Sequence, residues 1–230
     1  MTVQAIISTL NALSGHSFVP EREFFSRQNR VLLLCDGDTR CVLKLFVAGD
    51  REREAALLRR AEALAIPAPR LLHEGEGWLT MTYLAGPLLS ELLDGDGDLP
   101  AAALARLFAH CHRVTESSDG TIEAPCDQNM RNFVCHDGEF FLLDLAETER
   151  LRPEAALGRF CADLLLFRPP FDARKRALVN EMLAAYNRLR GNSFDRALFR
   201  QELAAEARRL CDRRGGDYAK LPLTELLTTL

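Results

Sequence analysis

No stretch of this 230-residue chain stays apolar for anything near the ~18 residues a membrane span needs. The first residues lack the basic-then-apolar pattern of a secretory signal. A soluble, cytoplasmic protein is the expectation. Positive charge is not in excess either. Lysine and arginine total 29 against 33 acids, a formal net charge of −4. That gives no electrostatic case for nucleic acid, and the short basic clusters at 51–60 and 208–214 read as solvated helix faces. The seven cysteines are odd in number and form no CxxC pair or zinc ladder, so they read as reduced thiols. Cys41 and Cys161 sit in apolar surroundings and read as small core residues. The five histidines show no metal spacing: His110 and His112, two apart on a helix, point in different directions. Internal repeats and low-complexity segments are absent as well.

What is present concentrates between residues 126 and 144. Asp137-Gly138 is a strong two-residue hairpin signal, flanked by apolar runs at 133–135 and 140–143. A turn centred near Gly138 gives facing residues an index sum of about 276, which sets Asn132 opposite Asp144, roughly 5 Å apart at Cβ. An amide oxygen and a carboxylate then converge at the open end of the hairpin. Such a pair suits Mg²⁺, a hard cation that takes oxygen ligands and keeps waters and phosphates around it. Asp127 would stand beside that ion. Cys126, next to it, either lines the site or serves as a core or spacer residue.

The rest of the chain divides by pattern. After a short helix at 2–14, residues 24–46 look like β structure, with strands at 31–35 and 40–46 around an Asp36–Thr39 turn. Asp50 caps a helix running to about residue 65, where Ile66-Pro67-Ala68-Pro69 ends it. Strands at 71–74 and 78–83 follow. Beyond Leu99 the periodicity becomes helical, over 100–114, 153–167, 172–190 and 194–213. The expected fold is therefore α+β in two lobes. Residues 1–85 form a strand-rich N-lobe with one helix, and 86–230 form a mainly helical C-lobe with an embedded hairpin. A cleft between such lobes is a usual ligand site.

Lys44 shares a strand face with Val42 and Phe46 by simple alternation. A lone ammonium there needs a partner; taken alone, it also fits an edge-strand lysine that blocks aggregation. On the next helix, Leu57, Leu58, Ala61, Leu64 and Ala65 form one stripe, and Glu54 lies within roughly 40° of its centre. Glu54 is thus the acid aimed into the core, as a partner for Lys44 or as half of a purely structural ion pair.

A strand lysine, a helix glutamate, a loop aspartate and an Asn/Asp pair together form a kit for phosphoryl transfer. In this set the chain resembles the protein-kinase-like superfamily on its small, atypical side. It is similar to aminoglycoside/choline-type phosphotransferases and to the compact lipopolysaccharide (Kdo/heptose) kinases. The stretch Arg53-Glu-Ala-Ala-Leu-Leu-Arg-Arg, then Ile66-Pro-Ala-Pro-Arg-Leu-Leu, resembles the segment after the strand lysine. Asp127-Gln-Asn-Met-Arg-Asn132 resembles the catalytic loop, and Leu142-Leu-Asp144 the metal-binding aspartate segment.

The resemblance implies ATP and Mg²⁺, with Lys44, held by Glu54, on the α and β phosphates and Asn132 and Asp144 on the metal. Asp127 would orient or deprotonate an acceptor hydroxyl. A hinge at residues 80–84, including Met81, Thr82 and Leu84, would pair with adenine. Asp163 corresponds to the helix aspartate that supports the catalytic loop, unless it simply points to solvent. Arg131 either helps neutralise the transferring group or is an exposed loop arginine. The sequence departs from the family in lacking a glycine-rich phosphate loop. Its equivalent, Ser26-Arg27-Gln28-Asn29-Arg30, would use the Ser26 hydroxyl, backbone NH groups and arginines. Cys126 also stands where the family has glycine. Only about 18 residues separate Asp144 from Asp163, leaving little room for a peptide-gripping segment.

The expected activity is phosphorylation of an alcohol on a small molecule, sugar or glycolipid headgroup. A compact atypical protein kinase and a non-catalytic nucleotide-binding pseudokinase are the alternatives. No nucleic-acid partner is expected, and peripheral membrane contact is left open.

Overall fold

A computed structural model describes the chain apart from Met1, Arg27, Ala48, Gly49, Ala146, Asn192, Thr229 and Leu230. The fold is α+β, and its residues separate into two compact units, Met1–Ala85 and Gly86–Leu230.

In the first unit, α1 (Val3–Ser14) opens behind a Thr2 cap whose hydroxyl accepts the Ala5 N–H. Five antiparallel strands follow, β1 (Val19–Phe24), β2 (Arg30–Asp36), β3 (Thr39–Leu45), β4 (Leu71–Gly75) and β5 (Trp78–Thr82), with α2 (Arg51–Ala63) between β3 and β4. Their order is β1-β2-β3-β5-β4. Alternation on β3 sorts its side chains. Cys41, Leu43 and Leu45 join Leu32, Leu34 and Trp78 in a core closed by Ile6, Ile7, Leu10 and Phe18. Val42 and Lys44 face the other way. β3 is a central strand, so Lys44 is not an edge lysine.

The buried stripe of α2 is Glu54, Ala55, Leu58 and Ala61. It is narrower than the expected one: Leu57 is only half-buried and Ala65 is exposed, because the helix stops at Ala63 and Ala65 turns to positive φ. Strand β1 carries no alternation of polarity in Val-Pro-Glu-Arg-Glu-Phe, which is why periodicity misses it. It is held by ladder bonds to β2 and by cross-strand pairs, Arg30–Glu23 with β2 and Arg40–Glu21 with β3.

The second unit runs α3 (Leu89–Asp94), α4 (Ala101–Thr115), β6 (Ile122–Pro125), β7 (Phe133–His136), β8 (Glu139–Leu142), β9 (Thr148–Leu151), α5 (Pro153–Leu165), α6 (Ala173–Leu189), α7 (Arg196–Arg214) and α8 (Leu223–Thr228). Helix α4 packs on α6, and α5 on α7. The close α5–α7 contact depends on Gly158: a Cβ there would lie 2.9 Å from the Leu203 backbone nitrogen. Two small sheets are embedded rather than the single expected hairpin, β7–β8 and a second pair, β6–β9. Asp137 and Gly138 both take positive φ, the turn geometry an Asp-Gly pair favours.

The segment entering this unit pairs with β7. Cys135 N–H donates to the Pro87 carbonyl at 2.9 Å, and Leu88 bridges Val134. Gly86, at φ 155°, makes the approach possible, since a Cβ would stand 1.9 Å from the Cys135 carbonyl oxygen. Farther along, Arg174 of α6 donates to the carbonyls of Leu92, Leu93, Gly95 and Gly97, closing the Gly/Asp stretch after α3. Among the described residues no helix is long and apolar enough to cross a membrane.

His112 is fully enclosed between α4 and α6, with Nδ1 2.8 Å from the Tyr186 hydroxyl. Burial, and behind it the charge of Arg190, pushes its pKa down from 6.5 to about 3. Folding thus excludes a proton that the unfolded chain binds below pH 6.5. The stability this neutral imidazole contributes is complete above that value. It declines as pH falls toward 3, by about 1.4 kcal/mol per pH unit. Urea unfolding from pH 7 to 4 should show the decline, and His112→Gln should flatten it. A second expectation concerns Gly86: Gly86→Ala should destabilise the fold by about 3 kcal/mol, read as a lowered urea midpoint.

Candidate active site

In the first unit the Lys44 Nζ lies 2.7 and 2.6 Å from the two carboxylate oxygens of Glu54. Their side chains are 13% and 5% exposed. Two independent periodicities aim the groups at each other, strand alternation for Lys44 and helix angle for Glu54. Asp50 fixes the start of α2 by accepting the Arg53 N–H, which sets that angle. The ammonium also lies 5.3 Å from the Phe46 ring centroid.

In the β1–β2 loop the Ser26 hydroxyl accepts the Asn29 N–H at 3.3 Å, and the Asn29 amide oxygen accepts the Val47 N–H at 3.1 Å. The loop is therefore tied across to the end of β3. Arg27, expected to serve there, lies outside the described residues. Met81 and Thr82 belong to β5 and pair with Val42 and Cys41. The Thr82 N–H is taken by the Arg70 carbonyl. Leu84 follows the end of the sheet and is half-buried.

In the second unit the loop from Asp127 to Asn132 is organised by its own side chains. Asp127 Oδ1 accepts the Asn129 N–H at 3.1 Å, and Asn129 Oδ1 accepts the Arg131 N–H at 3.0 Å. A 3₁₀ turn, Met130–Asn132, completes it. The Asn132 Nδ2 donates to the Asp127 carbonyl at 3.2 Å. The five-residue step between these residues thus closes into a ring, and with its nitrogen committed inward Asn132 has its amide oxygen left to bind. Asp127 is exposed, as is Arg131.

The loop is anchored from below by aromatic packing. Phe133, Phe160 and Phe108 meet with centroids 5.1, 4.6 and 6.0 Å apart, joining β7, α5 and α4. Asp163 is one turn after Phe160 on α5. It is 20% exposed and bound to Arg214, so it does not point to solvent.

The expected register needs correction by one residue. The ladder pairs Phe133 with Leu142 and His136 with Glu139, an index sum of 275, because the turn is centred between Asp137 and Gly138. Leu143, not Asp144, lies opposite Asn132; its N–H donates to the Asn132 carbonyl at 2.8 Å. Asp144 comes one residue past that bond, half-buried in the coil after β8.

An amide oxygen and a carboxylate are hard donors. Among the described residues no group of three or more His, Cys, Asp or Glu side chains could hold a metal by itself.

Cys126 is exposed and is therefore no core residue. Its φ is not in the left-handed region, so the position does not require glycine. Its N–H donates to the Glu147 carbonyl. Partial burial, with the charges of Glu149 and Glu147, raises its thiol pKa. Asn129 and Arg214 are partners of candidate residues that the sequence reading missed. Asp-x-Asn carries the signal of a side-chain-closed turn; a pair separated by 51 residues, as Arg214 and Asp163 are, carries none.

No family model matches the sequence. One curated relative, the EKC/KEOPS complex subunit BUD32 of Encephalitozoon cuniculi, is 38% identical over 69 residues. That match covers 30% of this chain and 34% of the relative's length. Solved structures are similar over nearly the whole chain. A choline/ethanolamine kinase family protein of Mesorhizobium loti superposes with a TM-score of 0.61, covering 99% of this chain and 98% of that one at 17% identity. Spectinomycin phosphotransferase, in complex with ADP and spectinomycin, gives 0.65, with 99% and 93% coverage at 9% identity. The fold is that of the protein-kinase-like small phosphotransferases.

Removing one member of the Lys44–Glu54 pair strands the other in a poorly solvated place. Lys44→Met should lower stability by about 3 kcal/mol, and Lys44→Met with Glu54→Met should recover much of the loss. Denaturant midpoints of the four proteins in the cycle test this.

Proposed function

We propose that the protein is an ATP- and Mg²⁺-dependent phosphotransferase that moves the γ-phosphate to an alcohol group of a small molecule, sugar or glycolipid headgroup. The observation that carries this reading is the closed loop in which the Asn132 amide holds the Asp127 carbonyl. It ties together two residues five apart, and in this reading one supplies an acceptor-orienting carboxylate and the other an oxygen ligand for a cation. Transfer of this kind depends mainly on positioning and charge neutralisation.

In this reading Lys44 binds the α and β phosphates, and Glu54, gripping the ammonium with both oxygens, keeps it in place. Ser26 and the backbone of its loop cover the phosphates in place of a glycine-rich turn. Residues from Met81 through Leu84 border the adenine. With the Thr82 N–H committed to Arg70, pairing falls to backbone groups farther along, near Leu84. Asn132 and Asp144 would hold Mg²⁺, which when bound supplies neutralisation of phosphate charge. Asp127 accepts the acceptor's hydroxyl proton; its Oδ1 is steadied by the Asn129 N–H. Arg131, an exposed cation of the same loop, would serve the transferring group. A cytoplasmic setting, where thiols stay reduced and ATP is at hand, suits this reading.

The BUD32 match supports a second reading, since 38% identity over 69 residues exceeds that to either solved structure. The same phosphotransfer groups would then operate within a multiprotein complex. A complex recovered by affinity purification under native conditions would favour it.

The direct test is ADP formation from Mg·ATP with choline, sugar, aminoglycoside and lipid-core acceptors. Turnover should fall by about 100-fold or more in Asp127→Ala and Asp144→Ala. Mg·ATP should still raise the melting temperature of Asp127→Ala. Turnover unchanged in both variants, or no thermal shift of the wild type, would overturn the proposal.

A further inference from the structure

Side chains, not glycines, shape the loop between β1 and β2. Strand β2 starts only at Arg30, which pairs with Leu45 of β3. That register, carried further, would set Asn29 opposite Phe46 and the Gln28 backbone opposite Val47. The chain departs from it. The Val47 N–H donates instead to the Asn29 side-chain oxygen at 3.1 Å. The N–H before it, of Phe46, donates to the Gly77 carbonyl at 2.8 Å, in the turn that precedes β5. The end of β3 is thus gripped from both sides, by a backbone carbonyl on one and by an amide side chain on the other.

Asn29 acts on its own loop as well. Its N–H donates to the Ser26 hydroxyl oxygen at 3.3 Å. A hydroxyl has two acceptor lone pairs and one proton, so accepting from Asn29 leaves the Ser26 proton available to an anion. Ser26, Gln28 and Asn29 all avoid positive φ, and the turn they make has no need of glycine. On the strand side, Phe46 stands directly before the gripped Val47, and its ring centroid lies 5.3 Å from the Lys44 ammonium. A continuous series of bonds and contacts therefore runs from Ser26 through Asn29, Val47 and Phe46 to Lys44.

We propose that Asn29 is a positioning residue for the nucleotide phosphates. Its backbone N–H orients the Ser26 hydroxyl as a donor, and its side chain holds the end of β3 so that Phe46 keeps the Lys44 ammonium in place. The inference rests on the reading of Ser26 and Lys44 as phosphate-binding groups. Asn29 touches no phosphate in this scheme. It keeps the groups that do in position before nucleotide arrives, and its loss is felt as weaker binding.

The test uses the full-length chain with Asn29→Leu, which removes the side-chain acceptor, and Asn29→Asp, which keeps it. Asn29→Leu should raise KM for ATP about 10-fold, with kcat and the acceptor KM within about twofold of wild type. An unfolded fraction would lower kcat and leave KM alone, so the split separates positioning from loss of fold. Amide hydrogen exchange at Val47 should quicken about 10-fold or more in Asn29→Leu and stay near the wild-type rate in Asn29→Asp. A KM for ATP within about twofold of wild type in Asn29→Leu, an equal rise in the acceptor KM, or Val47 exchange unchanged in that variant would overturn the proposal. Should the wild type show neither turnover nor a thermal shift with Mg·ATP, the phosphotransferase reading fails by itself. The hold on Lys44 is then decided by a crystal structure of Asn29→Leu. A Phe46 ring moved off the ammonium supports it, and an unmoved ring overturns it.

Discussion

The packing of Phe133 against Phe160, with Phe108 closing the third side, is the contact on which the second unit depends. It joins a short hairpin to two helices that belong to separate helix pairs. A two-stranded hairpin is marginal alone in water. Buried aromatic rings give this one a fixed base. The loop just before Phe133 begins its course from a defined point, and its internal hydrogen bonds need only close a short ring. The same helix that supplies Phe160 supplies Asp163, so one element carries both the ring that supports the hairpin and the acid paired with Arg214.

The first unit solves a comparable problem by dividing the sheet between two faces. One is filled by α1 and is wholly apolar, which secures β3 in the middle of the sheet. The other then accommodates an ammonium and a carboxylate, because the strand bearing Lys44 does not rely on that face alone. A buried ion pair contributes little net stability compared with apolar residues of similar shape. Its presence among well-packed neighbours is tolerated because the opposite face already secures the sheet.

Much of this was legible in the chain. Asp137-Gly138 announced the hairpin because few residue pairs accept positive φ at both turn positions. Lys44 and Glu54 were found since each was the one charged group on its apolar face. The register slipped by one because a two-residue turn is centred between residues rather than on Gly138, and a unit change in the sum moves every partner. Strand β1 was hidden because its six residues carry no alternation, and β6 and β9 because four residues cannot show a period. The Arg214–Asp163 pair could not be read at all, since it depends on how closely α7 approaches Gly158, a matter of three-dimensional packing.

The Arg174 fork has a consequence of another kind. Composition marks residues 94–98, Asp-Gly-Asp-Gly-Asp, as a linker, the sort of segment proteases cut first. Yet one guanidinium, nearly eighty residues away in sequence, gathers the carbonyls on either side and draws the chain into a closed bend. A protease must bind its substrate extended, so cleavage there requires α6 to release its hold. Cleavage at this segment then follows how often a single side-chain clamp opens, and not the apparent looseness of the sequence it guards.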